Sequence, residues 1–338
     1  MQMERCFKMK VHKIIPLLLM LLALAYGQSK VGTTAGNFLQ IGVGCRAIAM
    51  GGSAVSYGMD ASAVYWNPAL AANLKQNQAY FNNISWFAGI NLNYGGLVLN
   101  LGRFGNVGAS FYVMNSGEME VTTEERPEGT GELFTVQELS AGLTYSRQLT
   151  QRFFMGGTFK YIHSSIWNMK ASAIAVDLGL SYRTPYEPLI LGMSISNFGS
   201  EMRLHGPDAA VRFDPDPRVD GNNDGIIAYQ ITRSWDLPVT FRFGTAYEVI
   251  KSEFNTLLVS LDVLYPNNNE NYVNAGIEYS IQNRYFLRAG YRQLFLNDAE
   301  GGFTIGGGMW LKNILIDYAY SDRGRLNNVQ YISLGLSF

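Results

Sequence analysis

The end of the chain alternates apolar and polar or small side chains without interruption. Ile332, Leu334, Leu336 and Phe338 fall on one face of an extended segment, and Tyr331, Ser333, Gly335 and Ser337 fall on the other. Successive side chains of a β-strand point to opposite faces of its sheet. Segments with a similar alternation follow one another from about Gln78 onward, and each ends in a cluster of Gly, Asn, Asp or Pro. The sequence therefore predicts a large sheet with two different surfaces.

The composition restricts where such a sheet can lie. Apolar residues make up 47% of the 338 residues and aromatic residues 13%, yet the mean hydropathy is zero. A membrane-spanning barrel combines these values, because lipid-facing and lumen-facing residues alternate along every strand. The net charge of −1 gives no reason to expect nucleic-acid binding, which needs a basic excess.

Residues 1–27 have the features of a secretory signal peptide. Three lysines precede an apolar stretch at residues 14–25, which is too short to span a bilayer as a helix. We expect cleavage after Ala25 or Gly27. The mature chain then keeps a single cysteine, Cys45, so no intramolecular disulfide is expected.

The connections between the alternating segments are of two kinds. Short turns are predicted at 103–106, 149–152, 184–188, 250–253, 281–284 and 312–313. Generally longer polar connections are predicted at about 118–135, 163–170, 199–236, 264–271, 294–301 and 321–328. Bacterial outer-membrane barrels have short periplasmic turns and longer outward loops, so we expect the short turns to face the periplasm.

These features together favour an all-β fold, a transmembrane antiparallel β-barrel of a Gram-negative outer membrane. With a first hairpin near residues 79–101, residues 78–338 hold about fourteen strands, and twelve or sixteen are also compatible with that irregular hairpin. A soluble β-sandwich or propeller would alternate too, but neither explains the signal peptide or the two kinds of connection. The terminal Phe338 is predicted to act as a barrel assembly signal, because the last strand resembles the one that the insertion machinery recognises.

The segment before the barrel, residues 28–77, is rich in small residues, which allow its backbone to pack closely inside a barrel. We expect Arg46 and Asp60 to form ion pairs with the wall, because a charge in a partly dry lumen needs a partner. The step from Asn67 to Pro68 is expected to fix the turn that carries the chain into the wall, with Asn67 bonding nearby backbone.

This segment resembles the PorV/PorQ family of outer-membrane proteins, which is related to the FadL-type transporters of hydrophobic compounds. The resemblance rests on a run of Ile-Gly-Val-Gly-Cys-Arg-Ala at residues 41–47, on Met50, Gly51 and Gly52, and on Asp60 followed by Trp66, Asn67, Pro68 and Ala69. It implies a fourteen-stranded barrel whose N-terminal segment forms a plug or hatch in the lumen. The segment is then either a fixed structural element or a movable gate. Leu70 stands where relatives commonly have glycine, and Cys45 where they often have alanine.

The longest predicted outward loop contains part of a calcium-binding pattern. Asp220, Asn222 and Asp224 are followed by Gly225, as in the first half of an EF-hand loop, where alternate oxygens converge on the ion. Ile231 occupies the position of the bidentate glutamate. Calcium would therefore need further ligands from elsewhere, and the alternative is a solvated acidic turn.

The sequence gives little sign of catalysis. His163 and His205 are the only histidines of the mature chain, and both fall in predicted outward loops. No zinc-protease motif, phosphate-binding loop or Cys-x-x-Cys pair is present. We therefore predict a protein that is not an enzyme and has no cofactor, unless calcium binds.

Two functions follow from the resemblance. In the first, the protein is a partner or shuttle component of protein export, as in the type IX secretion barrel that collects cargo by a C-terminal signal domain. Its partners would be a translocon barrel and secreted cargo. In the second, it is a FadL-like channel that admits small hydrophobic molecules between plug and wall. A structural or assembly protein without a substrate is the third possibility.

Overall fold

The computed structural model describes residues 31–186, 188–215, 218, 225–296, 299 and 301–338. The predicted signal peptide lies outside the described residues. Within them, fourteen antiparallel strands form a closed barrel, in which each strand pairs with its neighbours in the chain. The strands are β1 (Gln78–Ser85), β2 (Asn91–Asn100), β3 (Asn106–Glu120), β4 (Leu133–Gln148), β5 (Phe153–Ile166), β6 (Met169–Arg183), β7 (Leu189–Gly199), β8 (Thr240–Lys251), β9 (Asn255–Pro266), β10 (Tyr272–Ile281), β11 (Tyr285–Leu294), β12 (Phe303–Leu311), β13 (Ile314–Asp322) and β14 (Asn328–Ser337).

The last strand closes the barrel onto the first. Gln78 of β1 pairs with Ser337 of β14, and Ser85 pairs with Gln330, so the two ends of the wall lie antiparallel along their full length. A closed sheet leaves no unpaired edge in lipid, where every backbone polar group must be satisfied internally. The prediction of a fourteen-stranded antiparallel barrel is therefore confirmed, including its irregular first hairpin.

The alternation of apolar with polar or small residues in the last strand corresponds to the outer and inner faces of the wall. Ile332 is 59% exposed and Leu334 52% exposed on the outside, whereas Tyr331 and Ser333 are buried on the inside. The same inside–outside alternation of burial runs along β5 and β6. The outer face of the wall is thus apolar, as contact with lipid requires.

The connections form two sets, one at each end of the barrel. Those at 101–105, 149–152, 184–188, 252–254, 282–284 and 312–313 are short and share their end with the chain terminus. Those at the other end lie at 86–90, 121–132, 167–168, 200–239, 267–271, 295–302 and 323–327.

The prediction of an outward loop at residues 163–170 is wrong. His163 lies within β5 and pairs with Ser172 of β6, and a turn of only Trp167 and Asn168 joins the two strands. The polar run after Ile162 resembled a loop in the sequence. These residues instead extend the pairing of β5 and β6 at the outward end, where polar side chains of a strand can be exposed to water.

The segment before β1 folds into four short helical pieces. These are a 3-10 helix at Asn37–Gln40, α1 (Cys45–Ala49), α2 (Ala63–Trp66) and a second 3-10 helix at Pro68–Asn73. Most of its side chains between residues 38 and 74 are buried. No helix among the described residues is long and apolar enough to cross a membrane.

Candidate functional site

The N-terminal segment, residues 31–77, contacts the inner face of the wall around the barrel. The backbone N–H of Gly44 donates to Asn82 of β1 at 3.0 Å, and that of Cys45 donates to the hydroxyl of Tyr80 at 3.2 Å. On another side, the Thr304 hydroxyl donates to the carbonyl of Ala49 at 3.0 Å and accepts from Gly51 at 3.0 Å. Side chains of the wall thus bond to backbone groups at both ends of α1, where a short helix leaves such groups without intrahelical partners.

A network of four buried charges joins α1 to three strands. The guanidinium of Arg46 donates from Nε and Nη2 to both oxygens of Glu278 on β10, at 2.7 and 2.8 Å. Arg288 of β11 donates to Glu278 at 2.6 Å and to Asp317 of β13 at 2.5 Å. Two positive and two negative charges therefore alternate, and each charge has at least one buried partner of opposite sign.

Arg46 remains charged in this setting. Burial would lower its pKa, but Glu278 beside it raises the pKa above the usual range of arginine. The guanidinium also lies over the ring of Tyr57, 4.7 Å from the centroid. The paired carboxylate and the aromatic ring replace the water that Arg46 gives up in the lumen.

Asp60 has a different role from the one predicted. Its Oδ1 accepts hydrogen bonds from the backbone N–H of Ser62 at 2.9 Å and from the Ser62 hydroxyl at 2.5 Å. Within the described part of the chain it forms no ion pair with the wall. A carboxylate that receives two local donors just before α2 shapes the turn instead, as aspartates at turns commonly do.

Asn67 connects the segment with itself and with the wall. Its side-chain amide donates to the carbonyls of Val55 at 2.7 Å and of Leu180 in β6 at 2.9 Å, and its oxygen accepts from Ala69 N–H at 3.0 Å. Pro68 starts the second 3-10 helix, where its missing N–H is not needed. The preceding Trp66 is buried and donates to the carbonyl of Val43 at 2.9 Å.

Glycines in the wall mark the places where the segment approaches most closely. A β-carbon at Gly306 would lie 2.7 Å from the methyl group of Ala49, and one at Gly156 would lie 2.6 Å from the carbonyl oxygen of Pro68. Conversely, a β-carbon at Gly51 would meet the carbonyl oxygen of Tyr291 at 2.7 Å. Gly306 of β12 and Gly156 of β5 therefore leave the space in which the segment packs against the wall.

Gly308 has a separate function in the charge network. Arg288 and Asp317 lie on β11 and β13, so their ion pair must pass over the intervening strand β12. A side chain at Gly308 would overlap the Asp317 carboxylate and would lie 3.0 Å from the Arg288 guanidinium. Because Gly308 has no side chain, the Arg288–Asp317 ion pair can occupy the space above it.

Another buried ion pair lies in the wall, outside the network of Arg46, Glu278, Arg288 and Asp317. Lys160 of β5 contacts Asp177 of β6 at 2.6 Å and donates to the side-chain oxygen of Asn197 at 2.8 Å. The adjacent cavity, which also borders Tyr65 and Tyr112, measures about 20 Å³. This volume is close to the minimum for a single water molecule, so the lumen is tightly filled at this point.

The longest outward connection, 200–239, contacts the start of the N-terminal segment. The Ala35 N–H donates to the carbonyl of Asp236 at 2.9 Å, and buried Met202 and Leu237 belong to the same apolar cluster as Phe38. From the neighbouring connection, the Asn268 amide donates to Thr34 at 2.9 Å. The segment therefore begins at the outward end of the barrel and ends beside the short turns.

The two remaining predicted sites are the calcium loop and the terminal Phe338. The calcium-loop residues Asp220, Asn222 and Asp224 lie outside the described residues. Among the described ones, no group of three or more histidine, cysteine or acidic side chains is arranged to hold a metal ion. Phe338 follows β14, with its N–H donating to the Asn77 carbonyl at 2.9 Å and its ring exposed on the outer side.

Sequence reasoning missed the wall half of the charge network. Glu278, Arg288 and Asp317 were not distinguished from the charges of the loops, although each interrupts an alternating segment at a lumen-facing position. A lone charge at such a position was the available signal, because it has to find a partner inside the barrel. Which charge pairs with which depends on the register of β10 to β13.

A closed antiparallel barrel with an apolar outside and a polar, charged inside is an integral outer-membrane β-barrel protein. Residues 25–185 match the family model of the type IX secretion system protein PorV. The predicted resemblance is thus confirmed for this part of the chain: residues 25–185, which include the N-terminal segment and strands β1 to β6, are similar to PorV, and the barrel resides in the bacterial outer membrane.

Solved structures with the same fold include two transporters. The toluene transporter TbuX of Ralstonia pickettii is 12% identical, with 88% of this chain and 98% of that chain covered and a TM-score of 0.57. The toluene transporter TodX of Pseudomonas putida is 16% identical, with 88% and 97% covered and a TM-score of 0.56. No curated protein matches the sequence significantly. At these identities the structural similarity concerns the fold.

Proposed function

We propose that this protein acts in export through a type IX secretion system, as a partner of the translocon and of secreted cargo, and without catalysing a reaction. The observation that carries the proposal is the match of residues 25–185 to the secretion protein PorV. The matched region includes the N-terminal segment and all strands from β1 to β6. The working surface in this proposal is the set of outward loops.

The polar contacts in the lumen support this choice. The N-terminal segment, which we propose to be a plug, is held by the ion pairs of Arg46 and by backbone hydrogen bonds to wall side chains. A pathway for hydrophobic molecules needs an apolar cavity, usually of several hundred Å³. Inside the lumen, the cavity between Tyr65 and Asp177 measures only about 20 Å³ and is bordered by the charged Lys160. An apolar cavity of about 510 Å³ lies instead at the exposed outer face of the wall, at Phe81 and Phe111.

The long outward connection supports the assignment of cargo contacts to the outside. Residues 200–239 carry a small hairpin, in which Ala210–Phe213 pairs with Ile226–Tyr229. Several apolar side chains of this hairpin are exposed, among them Phe213 at 51% and Ile227 at 68%. Exposed apolar groups on an outward loop are suited to protein contacts.

The alternative is a FadL-like channel for small hydrophobic molecules. The fold similarity to TbuX and TodX is the observation that favours it. In this alternative the N-terminal segment must move, because the lumen at Tyr65 and Tyr112 is filled. Movement would break the buried ion pair of Arg46 with Glu278.

Affinity purification of the tagged protein from its own membranes in mild detergent tests the proposal, with mass spectrometry of bound proteins and extracted small molecules. We expect a large translocon barrel and secreted proteins that share a C-terminal domain. A variant in which a short Gly-Ser linker replaces residues 210–229, the hairpin that carries the exposed Phe213 and Ile227, should lose the secreted proteins.

A matched control is the replacement of residues 124–129, the tip of the outward connection between β3 and β4, by the same linker. This variant should keep the cargo. Both variants should retain the heat-dependent gel shift of a folded barrel. Recovery of aromatic or fatty compounds without protein partners would overturn the export proposal in favour of the channel.

A further inference from the structure

A basic cavity lies at the end of the barrel that carries the short turns. Its volume is about 360 Å³, and four cationic side chains from different elements line it. Lys75 comes from the end of the N-terminal segment, Arg103 from the β2–β3 turn, Arg147 from the end of β4 and Arg183 from the end of β6. We refer to the cavity lined by these four residues as the basic rim cavity.

The positive charges of this cavity have no acidic partner among the described residues. No aspartate or glutamate lines it, and none of the four side chains takes part in an ion pair of the described chain. Arg183 donates to the Asn73 side chain at 2.8 Å and lies 4.9 Å from the centroid of the Phe154 ring. These contacts orient the guanidinium without neutralising it. All four side chains are exposed to solvent, which screens their mutual repulsion, and an anion bound among them would reduce the repulsion further.

The chemistry of the lining fits a phosphate group. Guanidinium groups present planar pairs of N–H donors that match phosphate oxygens, and lysine adds a compact charge. The amides of Asn73, Asn100 and Gln148, which line the same cavity, provide further polar groups. The cavity volume is sufficient for a phosphate and part of the group attached to it.

The surroundings of the cavity point to a lipid as the source of the phosphate. Beside the cationic residues, the turns carry exposed apolar side chains, with Leu101 at 47%, Phe104 at 60% and Leu149 at 50% exposure. Apolar groups next to cations are the arrangement expected where a wall meets the headgroup region of a bilayer. Short turns face the periplasm in outer-membrane barrels.

We propose that the basic rim cavity binds the phosphate headgroup of an anionic phospholipid from the periplasmic leaflet. The bound headgroup would also connect Lys75 of the N-terminal segment with the arginines of the wall. Hydrogen bonds already hold the end of the N-terminal segment to the wall here, since the Asn106 amide of β3 donates to the carbonyls of Ala71 at 2.6 Å and of Leu74 at 2.8 Å. Lipid binding would add a second, charge-dependent link between segment and wall.

Native mass spectrometry of the full mature protein in a neutral detergent tests this proposal. The probes are phosphatidylglycerol, phosphatidylcholine and inorganic phosphate, each titrated separately. We expect retained phosphatidylglycerol, with at least tenfold weaker retention in the double variant Arg103→Gln/Arg147→Gln. The variant Arg103→Lys/Arg147→Lys should recover part of the binding, because it restores the charge but not the planar donors.

The control is the double variant Arg152→Gln/Arg284→Gln, which removes two arginines from the same end of the barrel but outside the cavity. It should bind phosphatidylglycerol as the wild type does. Equal losses in both double variants would mean nonspecific attraction and would overturn the proposal. Inorganic phosphate binding as tightly as the lipid, or undiminished lipid binding by the cavity variant, would overturn it as well. Each variant must first show the gel shift of a folded barrel. The result does not depend on export partners, so it can fail independently of the proposed function.

Discussion

Arg46 of the N-terminal segment and Glu278 of the wall are joined by two parallel hydrogen bonds, Nε to Oε2 at 2.7 Å and Nη2 to Oε1 at 2.8 Å. Both side chains are nearly inaccessible to solvent. The pair is the charged link between a short helix inside the barrel and strand β10. Glu278 is also paired with Arg288, whereas Arg46 has Glu278 as its acidic partner in this network. Replacing one or the other should therefore have different effects on stability.

Glu278→Gln should destabilise the protein more than Arg46→Gln. Without the carboxylate, two buried guanidiniums lose a partner, whereas the loss of Arg46 leaves Glu278 paired with Arg288. Breaking a buried ion pair by removing one partner costs about 3–5 kcal/mol. The midpoint of the heat-dependent gel shift in detergent measures the difference. An equal or reversed order of the two variants would contradict the role given to Glu278.

Gly306→Ala should displace the N-terminal segment, and Gly307→Ala should not. The added β-carbon at position 306 would lie 2.5 Å from the Tyr318 carbonyl oxygen of β13 and 2.7 Å from the methyl group of Ala49, whereas at position 307 the nearest atom is the Phe286 carbonyl oxygen at 3.3 Å. Labelling of the buried Cys45 by a maleimide reports the displacement. Burial raises the pKa of the Cys45 thiol, so the native protein should react slowly and the Gly306 variant faster. Identical labelling rates in the two variants would argue against tight packing at Gly306.

Deletion of Phe338 should lower the amount of protein in the outer membrane. The residue follows the strand that closes the barrel, and its ring is exposed on the outer side, where a recognition factor can reach it. Phe338→Tyr keeps an aromatic ring and should assemble normally. Immunoblots of outer-membrane fractions measure both variants. Unchanged levels after the deletion would remove the assembly role.

Calcium should raise the thermal stability only if the motif at Asp220, Asn222 and Asp224 binds it. A ligand that binds only the folded state stabilises it by RT ln(1 + [L]/Kd), so the unfolding temperature rises with the calcium concentration. The double variant Asp220→Asn/Asp224→Asn should abolish the shift, and Asp208→Asn, a change in the same connection outside the motif, should preserve it. If the wild-type protein shows no shift with calcium, the motif is a solvated turn.

The sequence by itself determined the barrel, since its alternation, turn residues and two kinds of connection are local features that repeat along the chain. The two faces of β14 and the closure of residues 78–338 could be read from them. It also indicated Arg46 and Asn67 as residues of structural importance. The loop predicted at 163–170 was wrong because polar side chains on a strand beyond the membrane look like a loop in sequence.

Only the tertiary structure decided the partners inside the barrel. The pairing of Arg46 with Glu278, the passage of the Arg288–Asp317 pair over Gly308 and the gathering of Lys75 with three arginines all join residues far apart in the chain. Such contacts depend on the register between strands and on how the segment is placed against the wall. A one-residue shift in register would turn each lumen-facing charge toward lipid, so the partners are fixed by closure of the whole sheet rather than by any local pattern.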